Sequence, residues 1–192
     1  MRRLTVGPPL KLGGRKFKGL RGYAGKPFHP PLTDVPVTAY LFAAVFDVVS
    51  VILRSSHQAV ATELFHASTW TIIGGVAVSL LAALTGWADW YYSSEPGTQA
   101  RRTINTHATI MIVVTVVMLV NLIFRLVQGD SLSTPVWLMV LSVIGGALVS
   151  VGATYGGSMV YDYGFNVETS GDHPVWHRNE RDVWPGQREP TA

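Results

Sequence analysis

"ASTWTIIGGVAVSLLAALTGWA" covers residues 67 to 88 without one charged side chain. At ~1.5 Å per residue, a helix of that length reaches ~33 Å and crosses a hydrocarbon core ~30 Å thick. One such block could be a buried helix of a soluble domain. Three more accompany it: "DVPVTAYLFAAVFDVVSVILR" from Asp34, "THATIMIVVTVVMLVNLIFR" from Thr106 and "TPVWLMVLSVIGGALVSVGATYGG" from Thr134. Charged residues make up 14% of the 192, against about 25% in soluble domains. Four apolar blocks in so short a chain leave too little polar surface for a water-exposed fold.

The expectation is an all-α integral membrane protein, an antiparallel four-transmembrane-helix bundle with spans at about 35–54, 67–88, 104–126 and 134–157. Short connections make consecutive spans antiparallel neighbours. Helix starts are marked by Thr33 and Asp34 with Pro36 in the first turn, and by Thr134 followed by Pro135. Around the membrane domain (34–157), residues 1–33 read as a basic, flexible leader and 158–192 as a polar tail. The leader lacks an apolar core, so it does not read as a cleaved signal peptide.

Lysine and arginine set the orientation. Lys18, Arg21, Lys26, Arg101 and Arg102 flank the spans on one side, and only Arg54 and Arg125 on the other. The positive-inside rule then places both termini in the cytoplasm, in a bacterial plasma (inner) membrane with its bilayer as first partner. The absence of cysteine removes disulfides, iron–sulfur clusters and covalently attached haem.

Inside the spans, small residues recur every four positions: Ala67, Thr71, Gly75, Ser79 and Ala83 in the second, Ser142, Gly146, Ser150, Thr154 and Ser158 in the fourth. Such rows let helices approach closely in lipid. The third span carries His107, Met111, Val114, Met118, Asn121 and Arg125 on one face; the first carries Tyr40, Ala44, Asp47, Val51 and Arg54. Asp47 lies ~18 Å into its span at ~1.5 Å per residue. A charge at that depth costs about 3 kcal/mol unless paired. Asp47 is therefore expected to pair with Arg125, Arg54 or Asn121, either as a structural lock or as a proton or quinone site.

At the cytoplasmic corner, Trp87, Trp90, Tyr91 and Tyr92 suit an aromatic belt, and Asp89 is placed to pair with Arg102 near Arg101. His29 and His107 reach that side and His57 and His66 the other, an arrangement that would suit two b-type haems, although all four lie at span ends. His173 and His177 in the tail could chelate a metal weakly, but no dedicated metal site is read. Nucleotide-binding, nucleophile-elbow and zinc-protease motifs are missing, and nucleic-acid binding through the leader is not expected.

From "HPPLTDVPVTAYLFAAVFDVVS" through "ALTGWADW" and "ARRTINTHATIMI" to "GGSMVYDYGFNV", the chain resembles the bacterial four-span family called domain of unknown function 2231. That resemblance implies the fold. It also implies a link to membrane redox chemistry, because such domains occur alone or joined to Rieske-type iron–sulfur domains. The resulting expectation is a non-catalytic membrane subunit or anchor for a protein partner such as a redox enzyme. The alternatives are a haem- or quinone-binding electron-transfer protein and a small transporter or proton pathway.

Overall fold

The computed structural model describes Leu20 and residues 27–167. They form four helices: α1 (His29–Leu53), α2 (Gln58–Ser93), α3 (Gln99–Gln128) and α4 (Val136–Tyr161). Each is long and apolar enough to cross a membrane. The leader up to residue 19, residues 21–26, and the tail beyond 167, with His173 and His177, lie outside the described residues.

The helices exceed the apolar blocks that announce them. α1 starts at His29 because Pro30 and Pro31 fall in its first turn, where a missing N–H costs nothing. α2 runs on to Ser93, stopping before Pro96 and Gly97. Its 36 residues measure ~54 Å, so one end stands well clear of any hydrocarbon layer. α3 starts where the Thr98 hydroxyl accepts the Arg101 amide at 3.1 Å, a side-chain N-cap.

α1 packs along α2, α3 along α4, and α4 against α1, leaving α1 and α3 on a diagonal. The hairpin of α1 and α2 is pinned by polar straps in register. The Ser50 hydroxyl donates to the Ala61 carbonyl at 2.7 Å, Ser68 to Ala43 at 3.3 Å, and His29 Nδ1 to Ala82 at 2.9 Å. Each step along one helix is matched by an equal step back along the other, in multiples of a heptad, as an antiparallel coiled seam requires. In the second hairpin, Asn121 Nδ2 donates to Leu138 at 3.2 Å and His107 Nδ1 to Gly152 at 2.8 Å, again two heptads apart.

The two hairpins are one design used twice. Asp47 and Arg125 are separated by 78 residues. The same shift carries buried Pro36, Tyr40 and Ala43 of α1 onto buried Val114, Met118 and Asn121 of α3, and His29 onto His107. A second constant shift carries Ser68, Ile72, Gly75, Val76, Ser79 and Ala82 of α2 onto the whole buried set of α4, Leu138, Ser142, Gly145, Gly146, Val149 and Gly152. Contacts repeat with them. A Cβ on Gly75 would lie 2.7 Å from the Tyr40 ring, and one on Gly145 would strike the Met118 thioether. Both hairpins point the same way, so the pseudo-two-fold axis runs along the bundle, the geometry of a parallel repeat.

The small-residue rows face differently from the expectation. Gly75, Ser79, Ser142 and Gly146 are buried, but Ala83, Ser150 and Thr154 are exposed. A step of four residues turns a helix ~400°, so a strict row drifts off the contact, whereas a seam alternates threes and fours. α4 obeys that rule from Leu138 to Gly152.

Candidate functional site

Two pairs of polar side chains occupy positions related by the pseudo-two-fold, one pair toward each end of the bundle. At the end away from the termini, the Asp47 carboxylate and Arg125 guanidinium are completely buried and form an ion pair through Asp47 Oδ2 and Arg125 Nη2. The Ser142 hydroxyl donates to the same oxygen, and the Thr134 hydroxyl donates to Oδ1 at 2.9 Å. Arg125 Nε donates to Asn121 Oδ1 at 2.8 Å, Nη1 donates to the Thr69 hydroxyl at 3.3 Å, and the cation lies 5.3 Å from the Phe65 ring centre. Asn121 Nδ2 also donates to Ser142 Oγ at 2.8 Å.

Asp47 comes from α1, Thr69 from α2, Asn121 and Arg125 from α3, and Ser142 from α4, so the cluster ties all four helices. Beside it, Ser50 Oγ accepts the Thr134 amide at 2.9 Å while donating to α2, which fastens the α3–α4 loop. Every heteroatom of the ion pair is occupied, the condition for tolerating two charges where desolvation of each costs several kcal/mol.

The sequence brings Asp47, Asn121 and Arg125 to this cluster but not Arg54. α1 ends at Leu53, and Arg54, two turns beyond Asp47, is exposed. Ser142, Thr134 and Thr69 are the partners that sequence reasoning missed. In the sequence Thr134, followed by Pro135, marks only a helix start.

At the terminus end, His29 and His107 are half-buried. His29 Nδ1 bonds the Ala82 carbonyl and lies 3.3 Å from the Thr85 hydroxyl; His107 Nδ1 bonds the Gly152 carbonyl. A carbonyl only accepts, so both Nδ1 atoms carry the proton. A Cβ on Gly86 would lie 2.7 Å from His29 Cε1, and one on Gly156 would lie 3.3 Å from His107 Cε1. Glycine at those two matching positions is what lets the rings enter.

His57 and His66 do not make a second such pair. His57 precedes α2 in a non-helical conformation, whereas His66 lies more than two turns inside the helix. His57 is exposed and bonds Ser56, and His66 stands edge-on to Phe65.

The corner residues divide. Arg101 stacks over Trp90, 3.7 Å from the ring centre, and donates to the carbonyls of Trp90 at 3.2 Å and Ser94 at 3.1 Å. It therefore caps the end of α2 by bonding its orphan carbonyls. Trp90 Nε1 reaches Asn105 Oδ1 at 2.8 Å, tying α2 to α3. The expected Asp89–Arg102 pair does not form. Asp89 is buried on the face of α2 that carries Ala82 and Thr85, and its carboxylate takes the Leu20 amide. Arg102 is exposed, two residues and ~200° round α3 from buried Ile104.

The family model described as predicted membrane protein (DUF2231) matches residues 25–169. The chain belongs to that family. The matched stretch takes in both hairpins, so the two halves of the repeat lie inside one DUF2231 domain. No curated protein and no solved structure matches this DUF2231 chain.

Proposed function

We propose that this DUF2231 protein is a non-catalytic subunit of a bacterial plasma membrane, with both termini cytoplasmic, that anchors a redox enzyme as its partner. The observation that carries this reading is the saturation of the Asp47–Arg125 cluster. A proton path or transport site needs groups free to exchange partners as cargo passes. Both Asp47 oxygens are filled by Arg125, Ser142 and Thr134, and the guanidinium is filled by Asn121, Asp47 and Thr69. Such a cluster spends its polar atoms on holding helices together. The long α2 and its neighbour α3 project past the start of α1 at the terminus end, which gives a partner a rigid platform.

The test has two arms. Removing the chain from its native membrane is expected to release a stoichiometric partner enzyme into the soluble fraction. The purified protein in liposomes is expected to carry no proton flux. Flux that vanishes in a folded Asp47→Asn variant would replace the anchor with a pathway.

A further inference from the structure

The straps of the first hairpin also set depth. Ser50 bonds Ala61, Ser68 bonds Ala43 and His29 bonds Ala82, so Asp34 of α1 lies level with Ala77 of α2. α2 carries no Asp, Glu, Lys or Arg between Glu63 and Asp89, and Ala77 is next to the midpoint of that run. At ~1.5 Å per residue, the level of Asp34 is ~18 Å from Asp89 and ~21 Å from Glu63. The sequence marks Asp34 as a helix start at the membrane surface. It stands instead on the second turn of α1, in the middle of the apolar layer. The residue is exposed, and with Thr38, Phe42 and Phe46 it lines one wall of a shallow open groove that Thr71 of α2 closes. Among the described residues Asp34 enters no ion pair. A carboxylate on a single methylene cannot snorkel to either surface as lysine or arginine does, and a charge left facing acyl chains at that depth is costly.

We propose that this groove docks a transmembrane helix of another membrane subunit, whose lysine or arginine at mid-depth pairs with Asp34. Charge complementarity selects the occupant, and the bilayer selects its form. Only a helix brings a side chain to that depth with its own backbone hydrogen bonds satisfied. The groove's small Thr38 and Thr71 let such a helix come close. A second copy of this chain fits worse. Its described arginines, Arg54, Arg101, Arg102 and Arg125, lie near helix ends or in the buried cluster, and copies meeting face to face would set Asp34 against Asp34. The chain's own leader fits worse as well. It carries Arg2, Arg3, Lys11, Arg15, Lys16 and Lys18, and settling one of them on Asp34 would draw the others toward hydrocarbon. The incoming helix is distinct from the enzyme released in the anchoring test, so the groove and the anchor stand or fall separately.

The experiment puts a photo-reactive phenylalanine analogue in place of Phe42 in the full-length chain, illuminates the native membrane and sequences the cross-linked peptide. The expected product is an apolar span of another protein, with a lysine or arginine about two turns from the point of attachment, the spacing of Phe42 from Asp34. Asp34→Asn is expected to cut its yield about tenfold or more, and Asp34→Glu to keep most of it. Thr38→Trp, which fills the groove and leaves the carboxylate in place, should cut the yield as Asp34→Asn does. Asp34→Lys should abolish the product, and an acid in place of the captured cation should restore it. Each variant's melting temperature in detergent should stay within about 2 °C of the parent, because the changes lie on the outer face. A cross-link to a second copy, to the leader or to lipid alone overturns the site. So does a captured span without a basic residue, or a yield that Asp34→Asn leaves intact.

Discussion

The hairpin of α1 and α2 and the hairpin of α3 and α4 share a register, a buried set and a histidine strap, yet they differ where they meet. The first places a carboxylate at the position where the second places a guanidinium. One step away, Tyr40 bonds the Ser79 hydroxyl at 2.7 Å, where the second hairpin sets Met118 and Val149. Identical hairpins would bring like charges together on the axis, at a repulsive cost the low dielectric magnifies. Divergence at one position turns a repeat into a pair that can close only with its complement. Away from the axis the two halves have no reason to differ, and their glycines and straps coincide.

The most severe way to break this complementarity is to empty one side of it. Arg125→Leu leaves the Asp47 carboxylate buried without its cation and is expected to cost about 3–5 kcal/mol, read from reversible unfolding in mixed micelles. Adding Asp47→Leu should recover most of that loss, since an apolar pair of similar volume replaces a buried ion pair at little cost. A double variant as unstable as the single one would mean the cluster does more than neutralise itself. Next comes the close approach in each hairpin. Gly75→Val presses on the Tyr40 ring and is expected to cost about 1–3 kcal/mol, with Gly145→Val against Met118 costing a similar amount if the halves are equivalent. Loss of one strap is smaller. His107→Leu should cost about 0.6–1.7 kcal/mol by the same unfolding measurement, and His29→Leu about as much. At the bottom, Arg102→Gln at an exposed site should stay within about 0.5 kcal/mol; a larger loss would bring back the ion pair with Asp89.

The spans were plain in the sequence because the solvent dictates them: no soluble fold tolerates residues 67–88 beside three more such blocks. Helix ends were harder to see. Past the hydrocarbon boundary a helix continues until something stops it, so hydropathy misses the first turns of α1 and the last turns of α2. Asp47 and Arg125 were legible as partners because charges in oil must find each other. Ser142, Thr134 and Thr69 were not, because a hydroxyl in a membrane helix satisfies itself on its own preceding turn, as Thr71 does on Ala67 at 2.7 Å, and leaves no mark of a second duty. Arg101 reads in the sequence as a topology signal, whereas its main contacts are Trp90 and the end of α2. The repeat escaped notice because it lies in spacing and size. Tyr40 and Met118, or Ser79 and Val149, match in position but not in chemistry.

Asp47 leaves the ribosome 78 residues before Arg125. During synthesis the first two helices therefore enter the bilayer with an acid whose counter-ion has not yet been made. Thr134 and Ser142, which fill the remaining places around that acid, come later still. Completion of the chain is what closes the cluster, and a nascent chain stalled after Ser93 holds the acid without its cation.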